Sequence, residues 1–163
     1  MQKVIWNEGM LLRPQHFQQN DRYYNHQLQT RTQQQHRFNW GFYSLSFDNH
    51  HLSVGKIVIN QASGILPDGS LFDIQHQATP IIWESDEPKT NLTLYLALSL
   101  STVNSPEARS DKETGINTRY LSYDLTIADN NAQIQNLQTI SCGELDFHII
   151  TEEELDNHWV KLK

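Results

Sequence analysis

The sequence predicts a mainly β fold: an antiparallel β-sandwich led by one N-terminal α-helix. Three observations carry this. After residue 38 most apolar residues alternate with a period of two. Turn residues punctuate that alternation at short intervals. A single long polar stretch behind Pro14 keeps helical spacing instead. At 163 residues the chain suits one domain that can bury a core without disulfides or metals.

Lys3 to Trp6 reads as a short strand or extended arm, broken at Gly9. Pro14 has no N–H and a preset φ, which suits the first turn of a helix running from about residue 14 to about 35. Phe17, Tyr24 and Leu28 fall on one face of it, and the rest is Gln, Asn, His and Arg. So thin an apolar stripe excludes a central core helix, so this one should lie across a sheet or between subunits. Phe38, Trp40 and Phe42 then alternate in one phase, and Tyr43, Leu45 and Phe47 in the other. That slip predicts a bulge near Phe42-Tyr43.

Asp48-Asn49-His50 reads as a hairpin turn into a strand over Leu52–Asn60. Pro67-Asp68-Gly69 is a second turn, with Pro presetting φ and Gly accepting positive φ, and Ser70–Ile74 is its return strand. In Leu92–Leu100 five leucines point one way and Thr93, Tyr95, Ala97 and Ser99 the other, which predicts one buried face. Leu121, Tyr123, Leu125 and Ile127 repeat the pattern up to a tip at Asp129-Asn130-Asn131. Ile134, Leu137, Ile140, Leu145, Phe147 and Ile149 supply the last strands of a sandwich spanning 1–150. Glu84–Asn91 and Ser101–Arg119 are polar loops, and the second reads as solvated surface. In 151–163, Thr151 and Glu154 form a capping-box pair, and Leu155, Trp159 and Leu162 have helical spacing. The tail is therefore expected to be a short amphipathic helix.

Several function classes have no support in the residues. The net charge of −7 argues against nucleic acid as a partner. The single cysteine, Cys142, excludes an internal disulfide framework and reads as a small apolar residue. His16, His26 and His36 are rotated by about 80° per step on a helix. His50-His51 sits in a predicted turn, and His76, His148 and His158 are isolated. No HExxH, CxxC, G-x-S-x-G or phosphate-cradling loop occurs, so the reading is of a protein without enzymatic activity, cofactor or metal. No membrane span or signal pattern is visible, and the expected location is cytoplasmic.

The opening block, Trp6-Asn7-Glu8-Gly9-Met10-Leu11-Leu12-Arg13-Pro14-Gln15-His16-Phe17-Gln18-Gln19-Asn20-Asp21-Arg22-Tyr23, resembles the start of the TssK family of type VI secretion baseplate proteins. Members of that family begin W-x-E-G-M-x-L-R-P-Q-H-F-Q-Q-x-D-R-Y. Trp40-Gly41-Phe42, Leu52–Lys56 and Ala62–Asp73 are also similar to family segments, so the likeness covers about the first 75 residues. Beyond them it lies only in general strand character. Mild departures fall at Leu11, Asn20 and Tyr24.

The resemblance implies the N-terminal shoulder, a β-sandwich like that of phage receptor-binding proteins, with 151–163 leading towards a stalk that this chain lacks. It implies a structural adaptor that docks a TssK trimer onto the wedge proteins TssF and TssG. The membrane-complex proteins TssL and TssM would be met only by missing C-terminal parts. There is no direct membrane insertion in this reading. Because the family trimerises largely through those missing parts, this chain is expected to be monomeric or weakly associated.

The candidate partner-binding residues are Trp6, Glu8, Met10, Leu11, Arg13, Gln15, His16, Phe17 and Gln18: an apolar anchor beside an amide-rich rim. The competing reading has Trp6, Met10, Leu11, Leu12 and Phe17 closing one end of the sandwich core. Arg13 is expected to pin the arm to the helix start, its guanidinium directed at a carboxylate, with Glu8 and Asp21 nearby, or at backbone carbonyls; in the other reading it reaches a partner. An alternative function is a glycan-binding module using Trp40, Trp83 and Tyr95.

Overall fold

The computed structural model describes residues 1–35, 38–75, 80–85, 91–102, 105–110, 113, 115, 117–131 and 136–163. His36, His76, Ile134 and most of the polar stretch after Glu84 lie outside them. The helix forms where expected, as α1 (Pro14–Gln35), followed by β1 (Gly41–Phe47), a helical turn α2 (Asn49–Leu52) and β2 (Lys56–Ile65). β3 (Leu71–Asp73), β4 (Ile81–Glu84) and β5 (Leu94–Ser99) follow. β6 (Ala108–Ser110), β7 (Tyr120–Ala128), β8 (Leu137–Leu145), β9 (His148–Thr151) and β10 (Trp159–Leu162) complete the order.

The first sheet is organised on β2. Ile59 pairs with Phe47 of β1 and with Ile81 of β4, while Gly64 pairs with Phe42 of β1 and Phe72 of β3. β1 thus takes one edge of β2, and β3 and β4 share the other. A register shift between Phe42 and Ser44 is the expected bulge. Gly64 is required where strands crowd, since a Cβ there would run into the Gly41 carbonyl and the Phe72 ring. The turn at Pro67-Asp68-Gly69 forms as read, with Gly69 at φ 84° and Leu66 N–H donating to the Ser70 carbonyl at 2.9 Å.

The second sheet has the order β10-β5-β9 and lies against the first. Ile59, Ala62, Leu66, Phe72, Ile74 and Ile81 from the first sheet side meet Leu96, Leu98, Phe147, Val160 and Leu162 from the second. Phe72 sits at the centre, edge-on to Phe42 at 5.9 Å and to Phe147 at 5.4 Å. This is the predicted sandwich. A third sheet, β6-β7-β8, extends from it, and its β6–β7 pair is parallel.

Five expectations are corrected. The tail is not a helix: Trp159–Leu162 pairs with β5, burying Val160 and Leu162. Glu154 does reach back to Thr151, accepting from its N–H at 2.7 Å and its hydroxyl at 2.8 Å, but the pair closes a turn. Asp48-Asn49-His50 is not a tight hairpin turn, because Asp48 caps α2 through the His50 N–H at 2.8 Å and β2 starts only at Lys56. β5 is buried on both faces, with Ala97 and Ser99 enclosed as Leu96 and Leu98 are, and the buried Arg119 reaches the Ser99 carbonyl. Finally, the stretch read as solvated loop contains β6 and ends in buried Thr118 and Arg119.

Arg119 is the main polar link between the layers. Its guanidinium donates to the Ser99 carbonyl of β5 at 3.0 Å and to the Asp68 carboxylate in the β2–β3 turn at 2.7 Å, with Ser70 alongside. At the base of the third sheet, Arg109 of β6 donates to Asp146 through Nε at 3.1 Å and through an Nη at 2.7 Å. His148 faces the same carboxylate at 3.5 Å, an electrostatic contact rather than a formed hydrogen bond. Burial pushes the Asp146 carboxyl up, but His148 and Arg109 outweigh it and hold its pKa below the ordinary value.

Candidate partner-binding site

Gly9, at φ 74°, lets the arm reverse, and Met10 N–H closes the turn on the Asn7 carbonyl at 3.3 Å. The arm then folds back over the first turns of α1. Trp6 lies 6.2 Å from the rings of both His16 and Phe17, and the Gln19 amide donates to the Gln2 carbonyl at 2.6 Å. This tie could not be read from the sequence, where Gln2 and Gln19 carry no pattern.

The start of α1 has an unusual cap. Arg13 occupies the position where a Ser, Thr, Asp or Asn oxygen would normally bond the free N–H groups. Here the imidazole Nδ1 of His16 accepts from the Arg13 N–H at 3.0 Å, the reciprocal half of a capping box normally made by Glu or Gln. His16 is therefore a structural residue of the site. Arg13 is corrected: among the described residues its guanidinium makes no bond to Glu8 or Asp21, and its side chain is exposed.

The apolar residues of this hook do not close the sandwich. Trp6, Leu11, Leu12 and Phe17 are 47–74% exposed, and only Met10 is half-buried. Glu8, Gln15 and Gln18 surround them in solvent. The arrangement sets the Trp6 ring beside those of His16 and Phe17, tilted by 40° and 52°, while Glu8, Gln15 and Gln18 stay exposed. It offers apolar surface with amide donors and acceptors beside it, and no acid–base pair or nucleophile. Trp6, Leu11, Leu12 and Phe17 therefore keep apolar surface in water.

Chemistry elsewhere is equally sparse. Among the described residues no three His, Cys, Asp or Glu side chains converge to hold a metal ion. None of the described helices is long and apolar enough to cross a membrane. Trp40 precedes β1 and Trp83 is in β4 of the first sheet, whereas Tyr95 is in β5 of the second with Lys161 over its ring at 5.0 Å. These three aromatics therefore make no shared platform. A cleft beside β10 is lined by Glu107, Arg119 and Trp159. Its charged groups are already engaged, Glu107 with Arg22 at 3.2 Å and Arg119 with Asp68.

The chain is thus a helix-led β-sandwich with an exposed apolar hook, and no catalytic constellation is seen among the described residues. Comparison with known proteins gives the family. Residues 16–163 match the bacterial type VI secretion family described as VC_A0110, EvfL, ImpJ and VasE, and the chain belongs to it.

A curated relative, the type VI secretion system baseplate component TssK1 of Pseudomonas aeruginosa, is 34% identical over 153 residues, covering 93% of this chain. The chain spans about a third (34%) of that relative's length. A crystal structure of TssK superposes with a TM-score of 0.90 at 31% identity, covering 98% of this chain and 36% of its own. A chain in a cryo-electron microscopy structure of a TssK-TssF-TssG baseplate subcomplex shares the fold. It has a TM-score of 0.82 at 18% identity and covers 98% of this chain and 54% of its own.

Proposed function

We propose that this chain is the wedge-docking part of a type VI secretion baseplate protein, a structural adaptor without chemistry of its own. The observation that carries the reading is the hook: Trp6, Leu11, Leu12 and Phe17 are held outside the core by a tied arm and a capped helix. Maintaining that much apolar surface in water is unfavourable by about 25 cal/mol per Å², so it calls for a cover. The fold it shares with a chain of a TssK-TssF-TssG assembly supports TssF and TssG as that cover.

In this reading Trp6, Met10, Leu11 and Phe17 are the anchor. Glu8, Arg13, Gln15 and Gln18 form the polar rim, and His16 holds the helix start in place. Residues 151–163 lead towards the longer relatives' remaining domains, which would carry the links to the membrane complex, and the setting is cytoplasmic.

The test is capture of a purified TssF–TssG complex by this chain. Wild type should retain the complex, and Leu11→Asp with Trp6→Ala should lose at least tenfold in affinity while keeping the thermal midpoint. Unchanged capture by that double variant would remove the hook from the interface.

A further inference from the structure

One buried hydroxyl of the sandwich has nothing to bond. Ser99, at the end of β5, is 8% exposed. Its carbonyl accepts from Arg119, but among the described residues its hydroxyl has no hydrogen-bond partner. A polar side chain enclosed in this way is unfavourable unless water or a ligand bonds it. Ser99 pairs with Trp159 of β10, which sets both side chains on one face of the sheet, opposite the core residues Leu98 and Val160. Both line the cleft beside β10, whose volume is about 180 Å³.

Two carboxylates line the same cleft, those of Glu107 and Asp156. Glu107 is fixed at both ends. Its carbonyl accepts from the Tyr120 N–H at 2.9 Å, and its Oε1 accepts from the Ser101 hydroxyl at 2.9 Å and from Arg22 at 3.2 Å. Among the described residues its Oε2 has no partner. Asp156 accepts from the His158 N–H at 2.8 Å and keeps lone pairs to spare. The cation in the wall, Arg119, is already matched by Asp68 at 2.7 Å. Trp159 meets His148 edge-on at 5.4 Å, which steadies the indole from one side.

We propose that this cleft is a binding site for a guanidinium group, the side chain of an arginine from outside this fold, held by Glu107 Oε2, the Ser99 hydroxyl and Asp156 against the Trp159 indole. The free groups decide the class. The carboxylate oxygens can only accept, so an anion would be repelled and an apolar guest would leave them unpaired. A guanidinium carries five N–H donors in one plane, and its weak hydration lets it lie against an aromatic ring. The space suffices, since a cavity of about 150 Å³ admits a benzene ring.

The fold holds its own precedent. Arg22 of α1 already brings a guanidinium to Glu107, from a helix seated through polar half-buried positions such as Asn20, Tyr23 and Gln27, while Tyr24 and Leu28 stay outward. The guest takes the second oxygen of that carboxylate. A net charge of −7 favours the approach of a cation. The site uses no residue of the hook and stands whether or not the wedge reading holds.

A heteronuclear NMR titration of this chain with N-acetyl-arginine amide tests it. Wild type should show saturable shifts of the Trp159 indole N–H and the Ser99 amide, with a Kd of about 1–5 mM. The uncharged analogue N-acetyl-citrulline amide should give none. N-acetyl-lysine amide, which lacks the planar fork, should bind about threefold more weakly. Free arginine separates two sources of the group. Binding as tight as the amide's supports the site with a small molecule as guest, and weaker binding supports it with an arginine of a peptide segment.

Glu107→Gln should weaken binding about fivefold and Ser99→Ala about twofold. Because Glu107 also holds α1, Arg22→Gln separates its two roles: it removes the helix contact together with the competing cation, and should bind at least as tightly as wild type. Loss of binding in Arg22→Gln would place the effect of Glu107 in α1 and overturn the proposal. So would a wild type without saturable shifts up to about 20 mM, citrulline amide binding as well as arginine amide, or Glu107→Gln titrating like wild type.

Discussion

The two-sheet sandwich and the periphery formed by the arm, α1 and the β7–β8 ribbon treat the same residue types in opposite ways. Leu66, Leu98 and Leu162 are almost wholly enclosed, while Leu11 and Leu28 are 74% and 62% exposed. The sandwich has two sheets that cover each other's apolar faces, while β2 and β5 are each paired on both edges. In the periphery β8 is paired with β7 alone, and α1 has no residue that is buried. Apolar side chains therefore report the fold in the first region and, in the proposed reading, recognition in the second, and substitutions should separate the two.

The largest stability effect is expected in the sandwich. Leu98→Ala removes a fully buried side chain from the middle strand and should cost about 3–4 kcal/mol, read from urea unfolding. Arg119→Ala leaves Asp68 partly buried without its cation and the Ser99 carbonyl without its donor. It should cost about 3 kcal/mol in the same assay. Either value below about 1 kcal/mol would break the contrast between the regions.

A smaller effect belongs to the base of the third sheet. The Asp146 pKa is lowered by folding, so its contribution is fully present above the unfolded value of 3.8 and is lost as pH falls through the folded value. Arg109→Ala should lower stability by about 1.5–3 kcal/mol at neutral pH. It should also flatten the loss of stability below about pH 4. Equal acid sensitivity in wild type and variant would remove Asp146 from that role.

The smallest stability effect should come from the hook. Leu11→Ala should change unfolding free energy by less than about 0.5 kcal/mol, as for an exposed surface position. A shift above about 1.5 kcal/mol would mean that the hook belongs to the fold and not to a partner.

Local grammar made much of this molecule legible. Pro14 and the polar helical spacing gave α1 its bounds, the phase slip at Phe42-Tyr43 gave the bulge, and Pro67-Asp68-Gly69 gave the β2–β3 turn. The failures were tertiary. Trp159–Leu162 satisfied a helical spacing, yet β5 needed a strand on its open edge and the pairing prevailed over the local pattern. Four-residue β4 has too few positions to show a period, and β6, a three-residue strand inside a polar stretch, leaves none.

The hook was singled out by resemblance and by the apolar cluster of Trp6, Met10, Leu11 and Leu12, but its exposure was not foreseeable. Spacing shows which residues share a face and not which way that face turns. His16 as a cap and Arg119 as a buried link were invisible for the same reason, since each acts through a partner set by folding.

The polar seating of α1 has a consequence for motion. A helix held to its domain by an ion pair at 3.2 Å and by the Gln29 stem beside Gly69, with none of its residues buried, should lift away without opening the sandwich. It forms a separate low-stability opening unit, whose amide hydrogens should exchange with solvent far sooner than those of β5. Occupying its outward stripe would slow that exchange along the whole helix, so a binding event at Leu28 would be felt as ordering at Pro14.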